Sequence, residues 1–170
     1  MNNKVKKMCV LSMLLCILII LAQIKIDIGY VPITLQTFGV YIIALLLQPK
    51  YSFFITFLYI FMGAIGLPVF SGMTGGLGAL LSYNGGYIFS FPIMAYAISL
   101  LGYEKSVVQK MLSCITGTII CYTIGTAWFM YVMKMDLMSS LMMCVIPFLL
   151  IDTIKMIISV LLTQKIKLPV

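Results

Sequence analysis

Residues 142–158 read MMCVIPFLLIDTIKMII, an apolar run that contains two charged residues, Asp152 and Lys155. Residues three apart lie on one face of a helix, so this acid and this base can pair. A charge at the middle of a bilayer costs about 2.5 to 3.5 kcal/mol on insertion scales, and a mutual ion pair recovers part of that cost. Two interpretations follow: the pair neutralises itself, or it faces an internal cavity and binds a polar ligand. Pro147, about one turn earlier, is expected to bend the helix.

The composition of the whole chain is that of a membrane protein. Hydrophobic residues make up 63% of the 170 residues and charged residues 9%, with a mean hydropathy of +1.18. Soluble domains carry about a quarter charged residues. The apolar runs are continuous and do not alternate, which favours helices over barrel strands. We therefore predict an all-α integral membrane fold, a bundle of six transmembrane helices in a single substrate-binding domain over residues 1–170. The predicted segments are 8–24, 30–47, 51–67, 87–101, 107–133 and 137–162.

The lysines flank these segments and indicate their orientation. Six crossings place both termini on one side, which then holds eight lysines, while the other side holds Lys25 and Lys134. Excess lysine marks the cytoplasmic side, so we expect both termini to be cytoplasmic. No nucleic-acid partner is expected, because the lysines form no patch and the chain has no arginine. No small-x-small cleavage site follows the first segment, so we expect it to stay rather than to be removed as a signal peptide. The eight lysines are Lys4, Lys6, Lys7, Lys50, Lys105, Lys110, Lys165 and Lys167.

The residues that carry most metal and enzyme chemistry are scarce. The chain has no histidine, and its five cysteines fall in apolar stretches, where we interpret them as small buried hydrophobes without disulfides. Asp152 is the one acid in the predicted membrane interior, and a serine or cysteine would lack its usual histidine base. No G-x-x-x-x-G-K-[ST] motif is present, so the chain cannot drive transport by ATP alone. We predict no enzyme activity, cofactor or metal; a structural scaffold and a self-sufficient channel or carrier remain alternatives.

Glycine is concentrated in the connection between the third and fourth segments. Eight of the 13 glycines fall within residues 63–86, in an uncharged stretch predicted to lie on the outer side. Irregular backbone at membrane depth is tolerated where it packs in protein or lines a cavity. The connection is either a plug whose glycines allow close packing, or a pocket wall that offers backbone groups to a ligand. Thr34, Gln36 and Thr37 form another polar cluster, for which ligand contact and bonding to the local backbone are both open.

Several motifs, taken in order, carry a resemblance to a known family. They are VPITLQT at 31–37, GAIGLPVF at 63–70, GGLG at 75–78, GGY at 85–87 and the Asp152-x-x-Lys155 pair. From the second segment to the sixth, their order and spacing resemble the biotin-binding S components of energy-coupling factor transporters, the BioY family. The resemblance implies a multi-pass subunit of a prokaryotic plasma membrane that binds biotin from outside with high affinity. It also implies partners, namely a membrane coupling subunit and two cytoplasmic ATPases.

The resemblance also implies which residues make the contacts. Two positions depart from the family pattern: Tyr83-Asn84 stands for a Pro-Thr pair, and Ser12 and Cys16 stand for alanines four apart in the first helix. Asparagine tolerates turn geometry, and Ser12 with Cys16 keeps the small-xxx-small spacing for docking to the coupling subunit. The implied substrate-binding residues are Thr34, Gln36, Gly75, Gly76, Asn84, Gly85, Gly86, Tyr87, Asp152 and Lys155.

The chemistry of biotin fits these residues. Its ureido ring carries N–H donors and a carbonyl acceptor, which an aspartate and a lysine can satisfy from opposite edges. Its thioether ring and tail suit a pocket of Met, Phe and Tyr side chains. Its carboxylate would favour glycine-loop amides or a lysine, so Lys155 could contact either end of the ligand. The sequence does not distinguish biotin from dethiobiotin, or exclude an S component for another small vitamin.

Overall fold

A computed structural model describes residues 3–26 and 32–166, which form eight helices and one short hairpin. In chain order the elements are α1 Asn3–Gln23, β1 Lys25–Ile26, β2 Ile33–Thr34, α2 Gln36–Leu46, α3 Pro49–Ala64, α4 Leu77–Leu81, α5 Gly85–Gly102, α6 Val107–Met133, α7 Leu137–Cys144 and α8 Ile146–Lys165.

The helices agree with a membrane protein. Within the described ranges, four helices are long and apolar enough to cross a membrane, judged by length and composition: Lys4–Gln23 of α1, and α5, α6 and α8. A bilayer core needs roughly 20 helical residues, whereas α2 has 11 residues and α3 has 16. The predicted helical membrane architecture is confirmed, and the count of six crossings stays a prediction.

Two predicted segments differ from the helices. The second segment yields a helix only from Gln36, because residues 33–34 form a strand; its first two residues, 30–31, lie outside the described ranges. The sixth segment is two helices, α7 and α8, which meet at Val145. Pro147 lies in the first turn of α8, where its missing N–H is not needed. The expected proline bend in one continuous helix is therefore wrong, since the interruption precedes the proline.

A hairpin joins α1 to α2. Its strands are antiparallel, with Lys25 opposite Thr34 and Ile26 opposite Ile33. The N–H of Leu35 donates to the carbonyl of Ile24 at 3.1 Å and extends the pairing to the start of α2. The hairpin thus fixes where α2 begins relative to the end of α1.

Helix α5 occupies the centre of the described bundle. It contacts α2, α3, α4 and α6, while α8 packs against α2 and α6, and α1 packs against α2 and α3. Glycines on α6 allow the close approach of α5: a Cβ at Gly117 would lie 2.3 Å from Ile98, and one at Gly125 would lie 2.2 Å from Tyr87. Small residues at such contacts are typical of membrane helices.

The outer surface is strongly apolar. Ile20, Phe54, Ile119 and Leu150 are between 54% and 72% exposed. Exposed apolar area of this extent is rare on soluble monomers, but it suits helices whose backbone polar groups are satisfied internally and whose side chains face lipid.

The cysteines divide between the surface and the interior. All five are free thiols; Cys114, Cys121 and Cys144 are buried, whereas Cys9 and Cys16 are exposed on α1. The prediction of buried cysteines is therefore wrong for Cys9 and Cys16. Ser12 is exposed as well, so the small-xxx-small pair lies on an accessible face of α1.

Candidate ligand-binding site

A cavity of about 470 Å³ lies among α2, α5, α6, α8, the hairpin and the connection from α3 to α5. Small-molecule sites usually measure roughly 300 to 1,000 Å³. Its apolar wall includes Phe70, Ile88, Phe91 and Phe148. Polar side chains from every bordering element also reach it, so the cavity can hold a ligand with an apolar body and polar ends.

Lys155 is anchored at the buried end of this cavity. Its ammonium donates to the carboxylate of Asp152 at 2.8 Å, to the Thr34 carbonyl at 2.7 Å and to the Thr37 hydroxyl at 3.0 Å. A lysine ammonium has three protons, so these three acceptors use its full capacity. Its side chain is 7% exposed. The amine therefore ties α8 to β2 and α2.

Asp152 is held equally firmly. Besides the bond from Lys155, its Oδ2 accepts from the Tyr122 hydroxyl at 2.7 Å, and its Oδ1 accepts from the Thr37 hydroxyl at 3.3 Å. Its side chain is 4% exposed. An ionised carboxylate offers about four lone-pair sites, so three accepted bonds leave room for one more donor. The carboxylate can thus accept an N–H from a ligand without losing a protein contact.

Gln36 belongs to a second hydrogen-bonded chain along the cavity. Its Oε1 accepts from the Thr34 hydroxyl at 3.1 Å, and its Nε2 donates to the Tyr59 hydroxyl at 2.7 Å. Tyr59 in turn donates to the Val69 carbonyl at 3.0 Å. The side chain of Gln23 donates to the same carbonyl at 3.3 Å and accepts from the N–H of Met73 at 2.8 Å. These bonds attach the cavity wall at residues 69–73 to α1 and α3.

Tyr87 lines the cavity from α5 because α6 leaves space for its ring. The ring lies where a Cβ at Gly125 would be, and its hydroxyl is 3.3 Å from the Thr126 hydroxyl. The indole of Trp128 donates to the Ser82 carbonyl at 2.9 Å and so attaches the short connection between α4 and α5 to α6. The position of Tyr87 thus depends on the packing of α5 against α6.

Two polar atoms at the cavity wall have no hydrogen-bond partner within the described ranges. They are Oδ1 of Asn84 and Oγ of Ser71, and both atoms are buried. Most buried polar atoms in folded proteins are satisfied. A polar ligand that enters the cavity would supply a donor for Asn84 and a partner for Ser71.

The four glycines of the predicted site do not line the cavity. A Cβ would meet the Leu67 carbonyl at Gly75 and the Leu80 carbonyl at Gly85, and at Gly86 it would meet Trp128. Gly76 has a φ of 85°, a conformation that L side chains rarely adopt. Their geometry supports the close-packing interpretation of the connection, and the expectation of glycine contacts with the ligand has no support from it.

The other six predicted substrate-binding residues do line the cavity: Thr34, Gln36, Asn84, Tyr87, Asp152 and Lys155. Tyr122 and Lys25 also line it and were not predicted. Tyr122 has a recognisable signal, because Thr118, Tyr122 and Thr126 recur every fourth residue and form a polar stripe on α6. Lys25 has none, since its place at the cavity depends on the hairpin.

Comparison with known proteins places the chain in a family. The model described as the BioY family matches residues 1–170. This chain belongs to the BioY family. Its similar relatives include the probable biotin transporter BioY of Pyrococcus horikoshii, 32% identical over 96% of this chain and 98% of the relative. The biotin transporter BioY of Thermotoga maritima is 33% identical over 89% of each chain.

The BioY fold is confirmed by a solved structure. The crystal structure of the S-component for biotin from an ECF-type ABC transporter superposes with a TM-score of 0.88 at 27% identity, covering 97% of this chain and 93% of the other. The family predicted from the motifs is therefore correct. Because these BioY relatives are transporters, family membership also confirms that the chain is not an enzyme.

Proposed function

We propose that this BioY-family chain binds biotin in the cavity and acts as the substrate-specificity subunit of an ECF-type transporter. The observation that carries the proposal is the buried network of Asp152, Lys155, Thr37 and Tyr122 at the end of a cavity of about 470 Å³. The fold that holds this cavity resembles an S-component for biotin.

The hydrogen-bond capacity of the network favours one ligand orientation. Lys155 already donates to three acceptors, whereas Asp152 can accept one more donor. A ureido N–H therefore binds Asp152, and Lys155 positions that carboxylate. Asn84 offers a further acceptor through its Oδ1. The thioether ring then packs on the aromatic wall formed by Phe70, Phe91 and other apolar side chains.

The proposal extends to the membrane and the partners. The chain crosses a prokaryotic cell membrane six times as one domain, with both termini in the cytoplasm. A coupling subunit docks on the face of α1 that carries Ser12 and Cys16, both exposed. Two ATPase subunits supply the energy, because the sequence contains no phosphate-binding loop.

Calorimetry of the detergent-purified chain against a panel of vitamins tests the function. We expect biotin to bind far more tightly than the other vitamins, with dethiobiotin as the nearest competitor. Tighter binding of another vitamin would make the chain an S component for that vitamin. A folded chain that binds none of them would favour a structural scaffold with a self-neutralising Asp152–Lys155 pair.

A further inference from the structure

In addition to the ligand cavity, the bundle has a groove on its outer surface, between α6 and α7. The volume of this groove is about 410 Å³. Ile119 on one wall is 60% exposed and Leu137 on the other is 56% exposed, so the groove opens toward the surroundings of the bundle. Residues that line it include Ile119, Thr123, Ala127 and Met130 of α6, and Leu137 and Leu141 of α7.

The lining of the groove suits an apolar occupant. Its hydroxyl-bearing side chains, among the described residues, already have partners within the protein. Thr123 donates to the carbonyl one turn earlier in α6 at 2.8 Å, and Tyr122 donates to Asp152 at 2.7 Å. The Thr126 hydroxyl lies 3.3 Å from that of Tyr87. A hydrocarbon in the groove therefore leaves none of these hydroxyls unpaired.

The groove has the length of a lipid chain. From Ile119 to Met130 its wall on α6 covers about 16 Å, at a rise of 1.5 Å per residue. This stretch runs from the middle of α6 toward its end at Met133. One leaflet of a bilayer core is about 15 Å thick, half of roughly 30 Å. Because α6 is long and apolar enough to cross a membrane, the acyl chains of one leaflet lie beside this wall.

The turn that joins the two walls carries one charge of each sign. Lys134 follows α6, and Asp136 caps the first turn of α7; both are exposed. The Oδ2 atom of Asp136 accepts from the N–H of Ser139 at 3.1 Å, which leaves acceptor capacity on the carboxylate. The headgroup of phosphatidylethanolamine also has one charge of each sign, a phosphate and an ammonium. The end of the groove is thus complementary to a zwitterionic headgroup.

We infer that the groove binds a phospholipid of the phosphatidylethanolamine type, with one acyl chain between α6 and α7 and the headgroup beside Lys134 and Asp136. Tyr122 lines both the groove and the ligand cavity. The acyl chain therefore packs against the ring whose hydroxyl holds Asp152. A filled groove keeps that hydroxyl in place, and this effect on ligand binding rests on the proposed function.

The first test fills the groove with a side chain. Native mass spectrometry of the detergent-purified whole chain, with dioleoyl phosphatidylethanolamine added, counts the lipids that stay bound. Thr123→Phe places a ring in the groove. Its matched control is Thr116→Phe, at another exposed threonine of α6 that donates to the carbonyl one turn earlier, at 3.0 Å, and does not line the groove. We expect wild type and Thr116→Phe to retain a lipid that Thr123→Phe loses.

A second variant guards against an unfolded Thr123→Phe. Ala127→Leu adds bulk at another exposed position of the lining and removes no side-chain hydrogen bond. Melting temperatures show which variants are folded. Ala127→Leu should also lose the lipid, because the added side chain occupies the same volume.

The next test concerns the headgroup. Asp136→Asn removes the charge and keeps the helix cap, since asparagine caps as well as aspartate. We expect Asp136→Asn and Lys134→Gln each to weaken retention of phosphatidylethanolamine about two- to fivefold, the range for exposed charge pairs. Asp136→Asn should not weaken phosphatidylglycerol, which has no ammonium. The control is Lys105→Gln, at an exposed lysine before the opposite end of α6.

The outcomes separate a lipid from other occupants. Equal lipid retention in Thr123→Phe, Ala127→Leu and Thr116→Phe would overturn the inference. A wild-type dimer that Thr123→Phe dissociates would assign the groove to a second copy of the chain and overturn it as well. Loss in the groove variants without any effect of Asp136→Asn or Lys134→Gln would support the acyl-chain site and overturn the headgroup assignment.

Biotin affinity tests the effect through Tyr122 separately. Calorimetry with and without phosphatidylethanolamine should show tighter biotin binding with the lipid in wild type, and no change in Thr123→Phe. Equal affinities in wild type would overturn the effect on Tyr122 while biotin binding stands. Lipid counting needs no biotin, so a chain that binds no biotin would overturn the proposed function and leave the lipid site standing.

Discussion

At the scale of single residues, the ion pair on α8 distinguishes a ligand site from a structural one. Either single change, Asp152→Asn or Lys155→Met, leaves one buried charge without its partner, which typically costs about 3 to 5 kcal/mol of stability. The double mutant removes both charges, so its melting temperature should recover toward wild type. Its biotin affinity should not recover, because the charged acceptor for the ureido N–H is replaced by a weaker, neutral amide oxygen. Melting temperature and biotin affinity for the four proteins check this.

The matched control for this cycle is Thr153→Val. Thr153 lies between the two charged residues but is exposed, and its hydroxyl donates to the Leu149 carbonyl within α8. We expect it to leave biotin affinity unchanged. Wild-type affinity in a folded double mutant would assign Asp152 and Lys155 to the scaffold.

Tyr122 is the next residue to test, since its hydroxyl donates to Asp152 at 2.7 Å. Tyr122→Phe keeps the ring and removes this bond, and a hydrogen bond to a charged group contributes about 1.5 to 3 kcal/mol. We expect biotin affinity to fall roughly ten- to a hundredfold if Asp152 must be held in place to bind the ligand. Tyr131→Phe, at a tyrosine that is 79% exposed on the same helix, is the control. Equal affinities in the two variants would contradict a positioning role for Tyr122.

The sequence predicted part of the site because buried charge in an apolar helix is rare. Asp152 and Lys155 could be identified from that alone. The resemblance added Asn84 and Tyr87, which line the cavity, and named four glycines as contacts, which do not line it. Glycine allows the backbone to approach either a ligand or another helix closely. The sequence alone does not distinguish these two reasons for a glycine.

At the scale of elements, the contact between α5 and α6 determines where Tyr87 lies. Gly125→Ala places a Cβ 2.2 Å from the Tyr87 ring, and overpacking of this kind costs about 1 to 3 kcal/mol. We therefore expect a lower melting temperature and weaker biotin binding. Gly78→Ala is the control, because a Cβ there has no atom within 4 Å. Unchanged stability in Gly125→Ala would mean that the two helices can separate at little cost.

The elements were predictable where one long apolar run forms one helix. The predicted segment 107–133 has the same first and last residues as α6. A capping box formed by Ser106 and Gln109 fixes the start of this helix. The division of residues 137–162 into α7 and α8 was not predictable, because hydropathy does not change at Val145. The hairpin was missed for a similar reason: two-residue strands are too short to show an alternating pattern.

At the scale of the whole molecule, the lysine distribution predicts the topology. Cysteines introduced at positions 2 and 134 should lie on opposite sides of the membrane, so an impermeant maleimide added to intact cells should label only position 134. Cys9 and Cys16 are exposed and must first be replaced by serine or alanine. Labelling of both positions from outside would contradict six crossings.

The cavity also contains thiols, and this bears on how occupancy can be followed. Cys121 and Cys144 line it and are 2% and 1% exposed, whereas Cys9 and Cys16 lie on the outer face of α1. A small alkylating reagent therefore reaches Cys121 and Cys144 only by entering the volume that a ligand would fill. Alkylation of the native chain can therefore report whether the cavity is occupied. A bound ligand would protect Cys121 and Cys144 from the reagent, while modification of Cys9 and Cys16 would show that the reagent is active.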